Sequence, residues 1–282
     1  MTGKQITVEN NYIHDIDFSC ITGGYTIDMS GASDVKFIRN TVHTGGGSEM
    51  YKAGPRHEIA YNNLSQSGHL QNDGSLIQVS VAAQPDSETH HNWVHNTVKQ
   101  GLRFDNKNTP GAPWGERGTM HHNVAWKTDR IFFKGDNHFI YNNLSFDSHQ
   151  NDLIISSDTK IQGHNHGTIT RNNLANTMSG SRSKPGKDFP VPGIVDHNWS
   201  ADVKGGDIRD QLRDPDNLDF RPKQNAEIID AGALIKTKNI QFEGNNPDIG
   251  AYEFGNRYYW IPGFKAKTSS SPVPPNNANH VK

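Results

Sequence analysis

The chain of 282 residues is long enough for one large domain or two small ones. Its hydrophobic fraction is only 32%, with 27 glycines, 14 prolines and no run near the roughly 20 apolar residues of a membrane span. Aromatics at 9% and a formal net charge of -2 argue against disorder, and the composition of long helical bundles is absent. Lysine plus arginine number 28 against 30 acidic residues, so no whole-protein field draws the chain to nucleic acid or an anionic membrane; a polyanionic ligand needs a local patch.

The start, MTGKQITVENN, carries no signal-peptide pattern, and a strand pattern is under way by Ile6, which predicts a fragment lacking upstream coils. The single cysteine, Cys20, reads as a small buried hydrophobe, with no intrachain disulfide open to it. From Val8 one unit recurs: an alternating strand, a polar residue, an asparagine, then an apolar residue two places on. It is read as VENNYI, FIRNTV, IAYNNL, THHNWV, MHHNVA, FIYNNL, ITRNNL and VDHNWS, aligned on Asn11, Asn40, Asn62, Asn92, Asn123, Asn142, Asn172 and Asn198 at intervals of 19 to 31 residues. A near-constant minimum period with variable insertions is a solenoid signature. Asparagine tolerates the left-handed corner, and its amide can bond the equivalent residue one coil away, so these residues are expected to stack as a ladder in αL conformation. A second alternating strand follows each corner: YTIDMS, SLIQVS, GLRFDN, RIFFKG and DLIISS.

Short strands joined by asparagine corners at this period resemble the single-stranded right-handed parallel β-helix of the pectate-lyase-like superfamily, an all-β fold, over residues 1–200. Residues 201–255, with DPDNLDFRPKQNAEIIDAGA and PDIGAYEFG, look like the C-terminal segment of bacterial β-helix carbohydrate-active proteins and are expected to cap the last coil. Residues 256–282 are Pro- and Ser-rich and read as an extended strap or tail.

In a solenoid, equivalent positions of adjacent coils lie about 4.8 Å apart, which turns the strands into columns. Aligned on inward Ile27, Ile77, Leu102, Ile131 and Leu153, the outward columns are Asp28, Gln78, Arg103, Phe132, Ile154 and Ser30, Ser80, Asp105, Lys134, Ser156. SEMYKAG fits between with Glu49 and Tyr51 outward and Lys52 at the strand end. Charges of both signs beside Gln78 and Tyr51 on one shallow face suit an acidic sugar chain, and Arg103 can grip a carboxylate bidentately. SEMYKAGPRHEIAYNNL and RIFFKGDNHFIYNNLS are similar to coils of polysaccharide lyase family 6, the alginate lyase and chondroitinase B family. The resemblance implies that Lys52 removes the proton α to a uronate carboxyl. The family's Arg-His-Gly motif has no counterpart here, and Arg103 in LRFD is the nearest substitute.

These residues predict a polysaccharide lyase acting on an acidic polysaccharide by β-elimination, secreted or periplasmic as the resemblance implies. Arg103 would neutralise the carboxylate, Lys52 or Lys134 would act as base, and Tyr51 or a histidine would protonate the leaving oxygen. Gln78, His69, Asp73, Trp114 and His138 are candidate substrate contacts, with His95 near them. Glu49, Asp73 and Asp105 are candidate ligands for Ca2+. The His90-His91, His121-His122 and His164/His166 pairs read as structural corner residues rather than zinc ligands. Two alternatives stand beside the lyase: a glycoside hydrolase using Asp105 with Asp73 or Glu49, and a non-catalytic glycan-binding solenoid.

Overall fold

In the computed structural model the described residues are 2–19, 24–71, 73–106, 113–157, 164–235, 241–266 and 278–279; Cys20 lies outside them. Short strands wind into three parallel sheets, so the chain is a parallel β-helix. The first sheet has eight strands, from Thr7–Glu9 and Lys36–Ile38 through Glu88–His90 and Thr119–His121 to Ile194–Asp196. The second, also of eight, runs from Tyr12–Ile16 through Trp93–His95 to Trp199–Ser200. The third has seven: Tyr25–Asp28, Glu49–Lys52, Ser75–Ser80, Gln100–Asp105, Ile131–Phe133, Leu153–Ile155 and Met178–Ser179. Each strand pairs with its equivalents in the coils before and after. Inward columns such as Phe37, Ile59, Met120, Ile140 and Ile77, Leu102, Ile131, Leu153 therefore stack into one continuous buried core.

The asparagine ladder is present, and its membership differs from the sequence alignment at two coils. It runs Asn11, Asn40, Asn62, Asn92, Asn123, Asn143, Asn173, Asn198. In FIYNNL and ITRNNL the second asparagine is the rung, because Leu144 pairs with Val124 and Leu174 with Leu144. The αL residue is not the rung but the residue before it: Asn10, Arg39, Tyr61, His91, His122, Asn142, Asn172 and His197 all have φ between 49° and 57°. Asn142 and Asn172 thus hold the corner conformation, whereas the rungs hold the hydrogen bonds. Each rung's Oδ1 accepts both the backbone N–H and the Nδ2 of the rung one coil earlier, as Asn123 does from Asn92 at 3.1 and 3.0 Å. Its Nδ2 also donates to a first-sheet carbonyl of the preceding coil, Thr89 O at 2.9 Å for Asn123. The corner column is consequently Tyr61, His91, His122, while Tyr141 and Arg171 stand one position earlier, opposite His121.

The C-terminal segment packs along the flank of the coil. The second sheet's outward side chains Trp93, Val124, Trp126, Leu144, Phe146, Leu174 and Trp199 are apolar, and Ile208, Leu212, Phe220, Ile228, Ile249 and Tyr252 cover them in a second core. The Trp93 indole donates to the Tyr252 hydroxyl at 2.9 Å. An outer face this apolar from Trp93 to Trp199 needs a cover, and the C-terminal segment supplies it. Residues 259–265 continue as a strap, with Gly263 N donating to Tyr61 O and Lys265 N to Asn10 Oδ1.

Asn123→Leu removes one rung and strands buried partners in the coils on either side, so it should destabilise the chain by about 3 kcal/mol. Val98→Ser, at an exposed position, should stay within about 0.5 kcal/mol in the same urea titration. Equal losses would contradict the ladder's role.

Candidate functional site

The outer face of the third sheet presents the polar column Asp28, Lys52, Gln78, Arg103, in register from strand to strand. Lys52 stands within the column rather than past its end. The next column pairs Ser80 with Asp105, and beyond it Lys134. Arg103 is the hub: Nη1 donates to Asp73 Oδ1 at 2.9 Å and Nη2 lies 2.8 Å from Asp105 Oδ1. The Lys134 ammonium donates to the same Asp105 oxygen at 2.7 Å. Asp73 reaches Arg103 from the loop between the second and third sheets, and its side chain is 85% exposed. Partial desolvation raises the Asp73 carboxyl, but the Arg103 charge and the Gly74 N–H outweigh it and hold the group below the usual carboxylate range.

Glu49 borders this cluster. Its Oε2 is buried without a hydrogen-bond partner among the described residues, and burial raises its carboxyl above the ordinary value despite the charges of Lys52 and Arg103. The Lys52 ammonium lies 3.6 Å from the centre of the Tyr25 ring, is half-buried, and makes no ion pair among the described residues.

Several expected site residues are placed elsewhere. Tyr51 pairs with Ile27 and Ile77 in an inward column, fully buried, stacked on Phe37 and bonded to His57 Nδ1 at 3.0 Å. Met50 and Tyr51 are both in the core, so strict alternation fails in this strand, which is paired on both sides. His138 is likewise a buried corner residue: its Nδ1 accepts from Gly118 N, and its Nε2 bonds Lys134 O. Burial lowers the ring's pKa to about 4. Lys134, expected on the surface, is 1% exposed, and burial pulls its ammonium below lysine's usual value although Asp105 opposes the shift. Phe132 and Ile154 complete the outward column yet are buried, with the Arg182 guanidinium over the Phe132 ring. His95 stacks on Trp126 at the second sheet, away from the polar face. Gln78 is nearly buried in its column; His69, on the Asp73 loop, and Trp114 are exposed.

The three carboxylates do not fit Ca2+. A guanidinium already sits between Asp73 and Asp105, an ammonium occupies Asp105, and no group of three metal-ligating side chains converges among the described residues.

Lys99 was not legible as a site residue, because it precedes the alternating strand and face assignment does not reach it. It is buried against Gly68, and its ammonium donates to the Asp73 carbonyl. Burial lowers it to about 8, with Asp73 and Glu49 opposing and Arg103 reinforcing the shift.

The fold is similar to that in the crystal structure of pectate lyase Pel9A, with a TM-score of 0.53 over 87% of this chain and 69% of that one, at 15% sequence identity. At that identity the likeness is one of fold alone. No protein-family model matches the sequence, and neither does any curated protein.

The low Lys99 value has a measurable sign. Between about pH 8 and 10.5 the unfolded chain binds more protons at this lysine than the folded chain, so its contribution makes the unfolding free energy rise with pH across that window. Stability measured by urea titration at pH 8 and pH 10 should show a smaller rise in Lys99→Met than in the unaltered protein. An identical rise in both would place the lysine in solvent.

Proposed function

We propose that the chain is a secreted or periplasmic polysaccharide lyase that cleaves a uronate-containing polysaccharide on the outer face of the third sheet. The observation that carries this reading is the column Lys52, Gln78, Arg103: an amine in register with a guanidinium two strands away and an amide between them. A pectate lyase sharing the fold supports a polysaccharide as substrate.

The chemistry follows from the groups present. A C–H next to a carboxylate is too weak an acid until the charge developing on that carboxylate is stabilised. Asp73, on an exposed loop, holds Arg103 Nη1 where the substrate's carboxylate would bind, and a uronate displacing it would gain the same charge-assisted hydrogen bond. Lys52 then takes the proton from the carbon bearing the carboxyl. Those C–H electrons form the C=C bond, and the bond to the glycosidic oxygen at the β carbon breaks. Solvent protonates the leaving oxygen, since Tyr51 lies in the core. Lys52 is preferred to Lys134 as base because Lys134 is buried and bonded to Asp105.

One observation favours a second reading. Glu49 is raised and Asp73 lowered, and two carboxyl groups driven apart in pKa are what a glycoside hydrolase needs for its acid and its nucleophile or base.

Incubation with a panel of acidic polysaccharides, following ultraviolet absorbance and reducing ends together, separates the readings. A lyase yields both signals, whereas a hydrolase yields reducing ends alone. On the substrate found, Lys52→Ala should lower kcat by about 10²-fold or more with an unchanged Tm, and Glu49→Gln should retain most activity. Full activity in Lys52→Ala would overturn the assignment, and reducing ends without absorbance, abolished in Glu49→Gln, would establish the hydrolase.

A further inference from the structure

A cavity of about 470 Å3 lies on a different side of the coil, between the corner that joins the first and second sheets and the C-terminal strap. Its size falls within the roughly 300–1,000 Å3 typical of small-molecule sites. Tyr61, His91 and His122 form one wall, and Trp260, Tyr258 and Glu253 the other. The corner wall is a stack: Tyr61 and His91 rings lie 4.7 Å apart, and His91 and His122 lie 4.9 Å apart and parallel to within 1°. Trp260 meets His91 edge-on at 4.9 Å and is backed by the Tyr252 ring at 4.3 Å, which fixes its plane.

The polar groups here are compensated. His91 and His122 each share an Nδ1···Nδ1 hydrogen bond of 2.8 Å with the preceding histidine, and His121 Nε2 lies 3.1 Å from Glu88 Oε1. The Arg221 guanidinium at the cavity's edge is held by Asp219 at 2.8 and 2.6 Å. Burial keeps the His122 ring neutral, its pKa lowered to about 3, and burial with the nearby Asp248 charge raises Glu253 to about 8, so that at neutral pH it is mostly a carboxylic acid. Glu253 Oε1 accepts from Asp248 N at 3.1 Å, which fixes the carboxyl group in the cavity wall.

We propose that this cavity binds a neutral saccharide unit, apart from the third-sheet face and independently of whether that face is a lyase site. The exposed Tyr258 ring in the lining suits the C–H face of a sugar ring, and uncharged imidazole and carboxyl groups suit its hydroxyls. An acidic sugar would meet Glu88 and find the Arg221 guanidinium already paired.

Isothermal titration with gluco-, manno-, galacto- and xylo-trisaccharides, and a uronate trisaccharide for comparison, tests the proposal. At least one neutral trisaccharide should bind. Tyr258→Ala, at an exposed position, and His122→Asn, which suits the left-handed corner, should each weaken that binding by about tenfold, while Lys52→Ala leaves it unchanged. The proposal is overturned if no neutral trisaccharide binds, if both cavity variants bind as the unaltered protein does, or if Lys52→Ala removes binding.

Discussion

Everything in this molecule is set by the rung of the asparagine ladder. A parallel coil must turn at fixed points, and at this corner it turns through a left-handed residue that is arginine, tyrosine or histidine in five coils and asparagine in three. Such a residue costs about 1–2 kcal/mol where glycine would not. The following asparagine offsets that cost: its amide joins the backbone N–H and side chain of one coil to the side chain of the next, in a site from which water is excluded. With the corner fixed in every coil, register is fixed, and loops of any length can be inserted between corners without moving the columns.

The columns in turn make the polar face of the third sheet. Lys52, Gln78 and Arg103 lie far apart in sequence but in register in space, because each belongs to the same position of a successive coil. The face they form is not a solvated one. Arg103 and Lys134 are almost fully buried, and their charges are tolerated because Asp73 and Asp105 meet them at hydrogen-bond distance; Lys99, equally buried, is met by the Asp73 backbone carbonyl. Removing one member would leave an unpaired buried charge, a larger loss than the pair is worth to stability. Lys52 stands outside that network, which makes it separable by mutation.

Period and asparagine spacing made the fold legible from sequence, along with the outward column of the third sheet. Pairs of adjacent asparagines defeated the alignment at Asn142 and Asn172, since only strand register shows which of two amides is the rung. Tyr51 was misplaced because Met50 beside it is buried too, so only register with Ile27 and Ile77 shows its face, and His138 because a histidine in a turn is indistinguishable from one folded into the core. The cover over the second sheet was written in Trp93, Trp126 and Trp199, outward tryptophans that a solvated face would not carry.

The assignment of this face is tested most directly by a crystal structure of the protein with a bound uronate oligosaccharide. The account predicts a sugar carboxylate on Arg103 Nη1 in place of Asp73, with the Lys52 amine facing the hydrogen on the adjacent carbon. An oligosaccharide seated away from the third sheet, with the Arg103–Asp73 pair intact, would contradict it.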